Sequence, residues 1–107
     1  MRPLAFTLAL ALSSLPALAA PDAKDLWAKK CQGCHAMDGS GNTERGRKYK
    51  VDDLTDTRWQ ARHSDEKILK AITEGKGKVM KPFKDRLTPE EISALVAHVR
   101  TLARPSP

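Results

Sequence analysis

The most constraining feature of this chain is the pentapeptide Cys31-Gln32-Gly33-Cys34-His35, which holds its only two cysteines and one of its three histidines. At the end of a helix, side chains three positions apart share a face, so the two thiols point the same way and an imidazole follows at once. A chain of 107 residues with 5% aromatic content has little apolar mass to close around. Domains of this size bury a modest share of their surface and usually need a staple. A Cys31–Cys34 disulfide is a poor one, because it closes a tiny loop, and in the chain-entropy account short loops stabilise least.

The Cys-x-x-Cys-His spacing fits covalent attachment of one haem c: both thiols add to its vinyl groups, and His35 is held under the iron by the same short segment. The haem then supplies the missing apolar bulk, and without it the mature chain is expected to be largely unfolded. A thioredoxin-type dithiol needs a strand before the motif and a βαβ context after it, and neither is present. Four zinc donors can be counted as Cys31, Cys34, His63 and His98, but the histidines fall at irregular spacing. For a second axial ligand the candidates are Met37, Met80, His63 and His98. Met37 is too close in sequence to His35 to reach the opposite haem face, and His63 precedes a helix cap and reads as a solvent-facing or interface residue. Met80 stands far along the chain in a loop flanked by Gly77 and Pro82-Phe83, which separates it from a methionine that merely fills a core gap.

Residues 1–19 read as a cleaved signal peptide. Met1 and Arg2 give a positive start, Leu4 to Leu15 is mostly Leu and Ala, and Ala17-Leu18-Ala19 places small residues where a signal peptidase reads, predicting cleavage after Ala19. The apolar run is shorter than the roughly 20 residues of a spanning helix, and Ser13, Ser14 and Pro16 interrupt it, so no stable membrane insertion is expected after processing. Export predicts a periplasmic location and one mature domain, residues 20–107. Loss of Arg2 lowers the formal charge of +6 by one.

Asp22 is a cap for a first helix carrying Ala23, Leu26, Trp27 and Lys30 and running into Cys31. Residues 37–50 show no period and predict a loop. Asp56 or Thr57 starts a short helix through Trp59 to Ala61. Ser64, with Asp65 and Glu66, opens another helix with an Ile68, Leu69, Ile72 stripe that Gly75 can end. Residues 76–87 predict a second long loop. Thr88, Pro89 and Glu91 form a capping box for the last helix, whose stripe is Ile92, Leu95, Val96, Val99 and Leu102. The predicted fold is all-α, with three main helices, a short one and two long loops.

Taken together, these segments resemble the class I c-type cytochromes, the small soluble monohaem cytochromes of bacteria. The resemblance is carried by Leu26-Trp27 before Cys-x-x-Cys-His, Asp38-Gly39-x-Gly41 after it, Asp53-Leu54 with Trp59, and Gly75-Lys76-Gly77 leading to Met80. Phe83, Leu87-Thr88-Pro89-Glu90-Glu91-Ile92 and Val99-Arg100-Thr101-Leu102 complete it, so that it covers nearly all of residues 22–103. It implies a fold in which the first and last helices cross beside the haem. It also implies that Cys31 and Cys34 attach the haem, that His35 and Met80 ligate its iron, and that Leu54, Trp59 and Phe83 wall the pocket, with Trp59 near a propionate. Two departures stand out. Lys81 separates Met80 from Pro82 where the family commonly has Met-Pro, and His98 stands where the last helix commonly has an aromatic, in a position to pack on Trp27.

A His/Met pair keeps iron six-coordinate and, through a weak thioether donor, favours the ferrous state. No coordination position is then open to substrate, which predicts a single-electron carrier between redox enzymes and no catalysis of its own. The competing expectation is a haem-based ligand sensor or weak peroxidase in which Met80 is labile. Lys29, Lys30, Lys76, Lys78, Lys81 and Lys84 lie near the attachment site and the Met80 loop, so a redox partner with an acidic docking face is expected. Nucleic acid is not expected, because the chain is exported and its aromatics are too few for a stacking platform. A monomer is expected.

Overall fold

The computed structural model describes residues 2–12 and 20–105. Residues 2–12 form no helix or strand, and Leu4, Phe6, Leu8, Leu10 and Leu12 are exposed. The predicted cleavage motif Ala17-Leu18-Ala19 lies outside the described residues. No described helix is long and apolar enough to cross a membrane.

Six helices follow one another: α1 Ala23–Lys30, α2 Gln32–His35, α3 Glu44–Tyr49, α4 Thr57–Arg62, α5 Asp65–Glu74 and α6 Pro89–Thr101. The predicted caps are in place. The Asp25 backbone N–H donates to Asp22 Oδ1 at 3.1 Å and that of Lys67 to Ser64 Oγ at 3.2 Å. At α6, the backbone N–H groups of Thr88 and Glu91 each donate to the other's side chain, at 3.0 and 3.1 Å. Each such cap satisfies donors that a helix start leaves free, and losing one costs about 1 kcal/mol.

Two stretches differ from the expected pattern. Residues 32–35 form a separate helix, α2, and residues 37–50 contain α3, so the long helices are joined by three short ones rather than one. Six residues are too few to show a period. The helix forms because Thr43 Oγ1 accepts from the Gly46 N–H at 2.8 Å and donates to the Cys34 carbonyl at 2.8 Å, pinning its start to the end of α2. Gly46 itself lies so close to the carbonyls of Gly41 and Cys34 that a Cβ there would collide with both.

The core is the α6 stripe. Ile92, Leu95, Val96 and Val99 are buried, Leu95 completely, against Trp27 of α1 and Ile68 and Ile72 of α5. Burial of each such side chain contributes about 1.5–3 kcal/mol. Crossing α1 and α5 over α6 in this way leaves the space between them to be closed by short helices and loops. The functional site lies there.

Candidate functional site

A cavity of about 720 Å³ opens between α1, α2, α4, α5 and the loop before Pro82. Its size is within the range of pockets that engulf a cofactor-sized molecule. Cys31, Cys34, His35 and Met80 all line it, so residues far apart in the chain meet on one space.

The thiols stand at a helix joint. Cys31 leaves helical geometry just enough to end α1, its N–H donating to the Trp27 carbonyl at 2.9 Å, and α2 then brings Cys34 and His35 onto the same side. Both cysteines are unpaired and half-buried. Burial pushes the Cys31 thiol up to about 11, so it sits as a neutral group in apolar surroundings. Burial also lowers the proton affinity of His35, an effect partly opposed by the Asp52 charge. His35 is thus neutral and able to donate a lone pair. Its Nδ1 is buried with no protein partner, whereas a ligating histidine ordinarily donates a hydrogen bond from its second nitrogen. Immediately after it, Ala36 takes φ 65 and ψ 162, a conformation close to glycine-only territory. That turn aims the Ala36 carbonyl at Trp27, whose Nε1 donates to it at 2.9 Å, locking the motif to α1.

Met80 closes a five-residue loop. The Lys76 N–H donates to the Met80 carbonyl at 2.8 Å and the Met80 N–H to the Lys76 carbonyl at 3.3 Å. Gly75, at φ 78, lies against the Met80 carbonyl and the Pro82 nitrogen, where no side chain fits. Lys81 falls just outside the bridged loop and is exposed, so the extra residue before Pro82 does not disturb the loop's closure.

Leu54 and Trp59 line the cavity, as the resemblance implies. Phe83 does not. It is buried in the core, because its N–H donates to the Ile72 carbonyl at 3.0 Å and folds the chain back onto α5, and Arg86 covers its ring at 5.2 Å. Trp59 Nε1 donates to Asp52 Oδ2 at 3.0 Å, and the Trp59 ring stacks on His63. His63 therefore lines the cavity, where the sequence suggested only a surface or interface residue. His98 lies 5.2 Å from the Trp27 ring, in the structural position expected of it. Among the described residues no three His, Cys, Asp or Glu side chains converge as ion donors, so the four counted zinc ligands do not come together.

A polar clamp holds the α4 wall. Arg100 of α6 donates to the carbonyls of Gln60 and His63, to Gln60 Oε1 at 2.8 Å and to Asp65 Oδ1 at 2.7 Å. Gln60 Nε2 donates in turn to the carbonyls of Leu54 and Val99 at 2.8 and 2.9 Å. In the sequence Arg100 stands out only as part of the Val99-Arg100-Thr101-Leu102 segment of the last helix. Its five donors carried no sign of which acceptors they would find.

A neutral imidazole, a thioether sulfur and two thiols opening on one apolar cavity are a donor set that fits haem c. Comparisons with known proteins point the same way. The family described as cytochrome c oxidase, cbb3-type, subunit III matches residues 18–99. The cbb3-type cytochrome c oxidase subunit FixP of Azorhizobium caulinodans is 38% identical over 84 residues, covering 78% of this chain and 27% of the relative. Its namesake from Bradyrhizobium diazoefficiens is 31% identical over 94 residues, covering 85% and 31%. The chain therefore spans less than a third of the length of these curated relatives. Among solved structures, the KustC0563 c-type cytochrome superposes with a TM-score of 0.75 at 40% identity, covering 78% of this chain and 100% of that one. A point mutant of the same protein superposes with a TM-score of 0.72 at 41% identity, covering 77% and 99%.

Proposed function

This chain belongs to the cbb3-type cytochrome c oxidase subunit III family of c-type cytochromes, and from that premise we propose that it is a periplasmic carrier of single electrons. The observation that carries the reading is the convergence of Cys31, Cys34, His35 and Met80 on one apolar cavity. Haem c, when bound, supplies a reversible one-electron couple. Cys31 and Cys34 would hold it by thioether bonds, and His35 and Met80 would supply the nitrogen and the sulfur that bind its iron. Leu54 and Trp59 exclude water from it, and Phe83 backs the wall from within the core.

Each residue serves electron transfer by preventing movement. The Ala36–Trp27 hydrogen bond fixes His35, and the Lys76–Met80 bridge fixes the methionine, so oxidation and reduction proceed without rebuilding the site. With His35 and Met80 both supplied by the chain, the iron would have no room for a substrate, which supports a carrier rather than an enzyme. Residues 1–19 direct export and are removed after Ala19, and residues 20–107 form the working domain.

Lys50, Lys67, Lys70, Lys76 and Lys78 border the cavity against two acidic side chains, Asp52 and Glu74. That balance favours a redox partner with an acidic docking face, and the encounter weakens with salt. The longer relatives are named as subunits of a cbb3-type oxidase, which supports such an oxidase as the class of electron acceptor.

The test is the visible and near-infrared spectrum of the purified oxidised protein. A haem c spectrum with a methionine-sulfur to ferric-iron charge-transfer band is expected, together with poor carbon monoxide binding to the ferrous form. Met80→Ala is expected to lose the band and bind carbon monoxide readily. If wild type and Met80→Ala bind it alike, the methionine does not guard the iron, and the sensor or peroxidase reading takes over. A sample without the alkaline pyridine spectrum of haem c overturns both.

A further inference from the structure

We propose that His63 is a redox-linked proton site, at which arrival of an electron in the cavity and binding of a proton at Nε2 favour each other. The inference rests on the reading that the cavity holds an electron-carrying haem.

His63 follows the last residue of α4 and lines the cavity. Its ring stacks on Trp59 with centroids 4.2 Å apart and planes at 17°, and its Nδ1 lies 2.8 Å from the Trp59 carbonyl. A carbonyl only accepts, so Nδ1 keeps its hydrogen in both the neutral and the charged ring. The proton that comes and goes is therefore on Nε2. The ring cannot swing aside without losing the stack and that hydrogen bond, and its own backbone carbonyl is gripped by Arg100. A charge gained there is held on the wall of a mostly apolar space, where screening is weak.

The charged groups around it come from every neighbouring element. Asp52, in the loop before α4, accepts from Trp59, and Arg62 ends α4. Lys67 of α5 lines the same cavity, and Asp65 of α5 pairs with Arg100 of α6. Carboxylates, lysines and arginines hold their charge around neutrality, whereas imidazole titrates between about pH 5 and about pH 8. Apart from His35, which is committed to iron, His63 is the side chain of this wall whose class changes charge there.

Linkage then fixes the sign. An electron delivered by the redox partner makes the cavity more negative by one unit and raises the affinity of His63 Nε2 for a proton, which solvent supplies. Reoxidation returns the electron to a partner and the proton to solvent. Reciprocally, protonated His63 favours the reduced protein. The reduction potential is therefore highest in acid, falls as pH rises through the imidazole range and levels off beyond it.

The experiment is spectroelectrochemical titration of the haem-loaded protein between about pH 5 and about pH 8.5, for wild type, His63→Gln and His98→Gln. A proton affinity about tenfold higher in the reduced state is expected, equivalent to a step of about 59 mV. His63→Gln removes most of that step and His98→Gln leaves it in place. Proton NMR of the His63 ring in both redox states of the wild type gives the same answer without a variant, as a titration displaced about tenfold in proton concentration. A step unchanged in His63→Gln, or a ring that titrates identically in both states, overturns the proposal while leaving the electron carrier intact. Absence of a reversible haem couple overturns the reading beneath it.

Discussion

Arg100→Ala removes the clamp between α6 and the α4 wall, and its cost follows from the bonds in place. The side chain donates to two backbone carbonyls, one amide oxygen and one carboxylate, on Gln60, His63 and Asp65. The Asp65 pair adds little, because the carboxylate is 72% exposed, and exposed pairs contribute between about 0 and about 1 kcal/mol. The carbonyls of Gln60 and His63 are part-buried, and each loses a charge-assisted donor. Orphaning a buried acceptor costs about 1–3 kcal/mol, with the lower end appropriate where water can enter. The total is about 2–4 kcal/mol. For a domain this small, each kcal/mol lowers the melting temperature by about 4–8 °C. Urea denaturation of the haem-loaded protein measures it as a shift in midpoint at unchanged slope. Asp65→Asn is expected to cost less than about 1 kcal/mol, and Arg100→Lys to recover only part of the loss, since one ammonium cannot span a forked set of acceptors. If Arg100→Ala costs no more than Asp65→Asn, the carbonyl contacts do not hold the wall and the reasoning fails.

Ala36→Gly relieves a residue held near glycine-only backbone geometry and is expected to raise stability by about 1 kcal/mol, read by the same denaturation; a loss of stability refutes the strain. Gly46→Ala forces a Cβ into the carbonyls of Gly41 and Cys34 and is expected to cost about 1–3 kcal/mol and to weaken α3, seen as faster amide exchange over Glu44–Tyr49. His98 has its proton affinity lowered by burial, with the Lys24 charge adding to it. The unfolded chain thus binds a proton there more readily, so stability is full above the ordinary imidazole range and declines as pH falls from about 6.5 toward the lowered folded value. Stability curves at several pH values are expected to show this slope in wild type and less of it in His98→Phe; an equal slope assigns it elsewhere.

How much was legible varies with the range of the interaction. The caps at Asp22, Ser64 and Thr88 were readable because each is a contact within three residues, and the α6 stripe because a helix repeats on a fixed period. The attachment motif was readable because its thiols and imidazole are neighbours in one short segment. Helix α3 was not, since what holds it is the Thr43 bond to the Cys34 carbonyl and a glycine pressed on backbone from another turn. The family resemblance implied Phe83 on the pocket wall, but a backbone bond to Ile72 turns it into the core.

The pentapeptide and the order of helices, loops and methionine are local and periodic properties, so the linear chain by itself determined the family and marked the candidate residues for a haem. Which side chains share the cavity with them was decided only by packing. Asp52, Trp59 and His63 come together because Arg100, carried on a distant helix, binds carbonyls that no pattern in the chain marks as its partners. Backbone acceptors are the same at every position, and only the fold selects which ones an arginine meets.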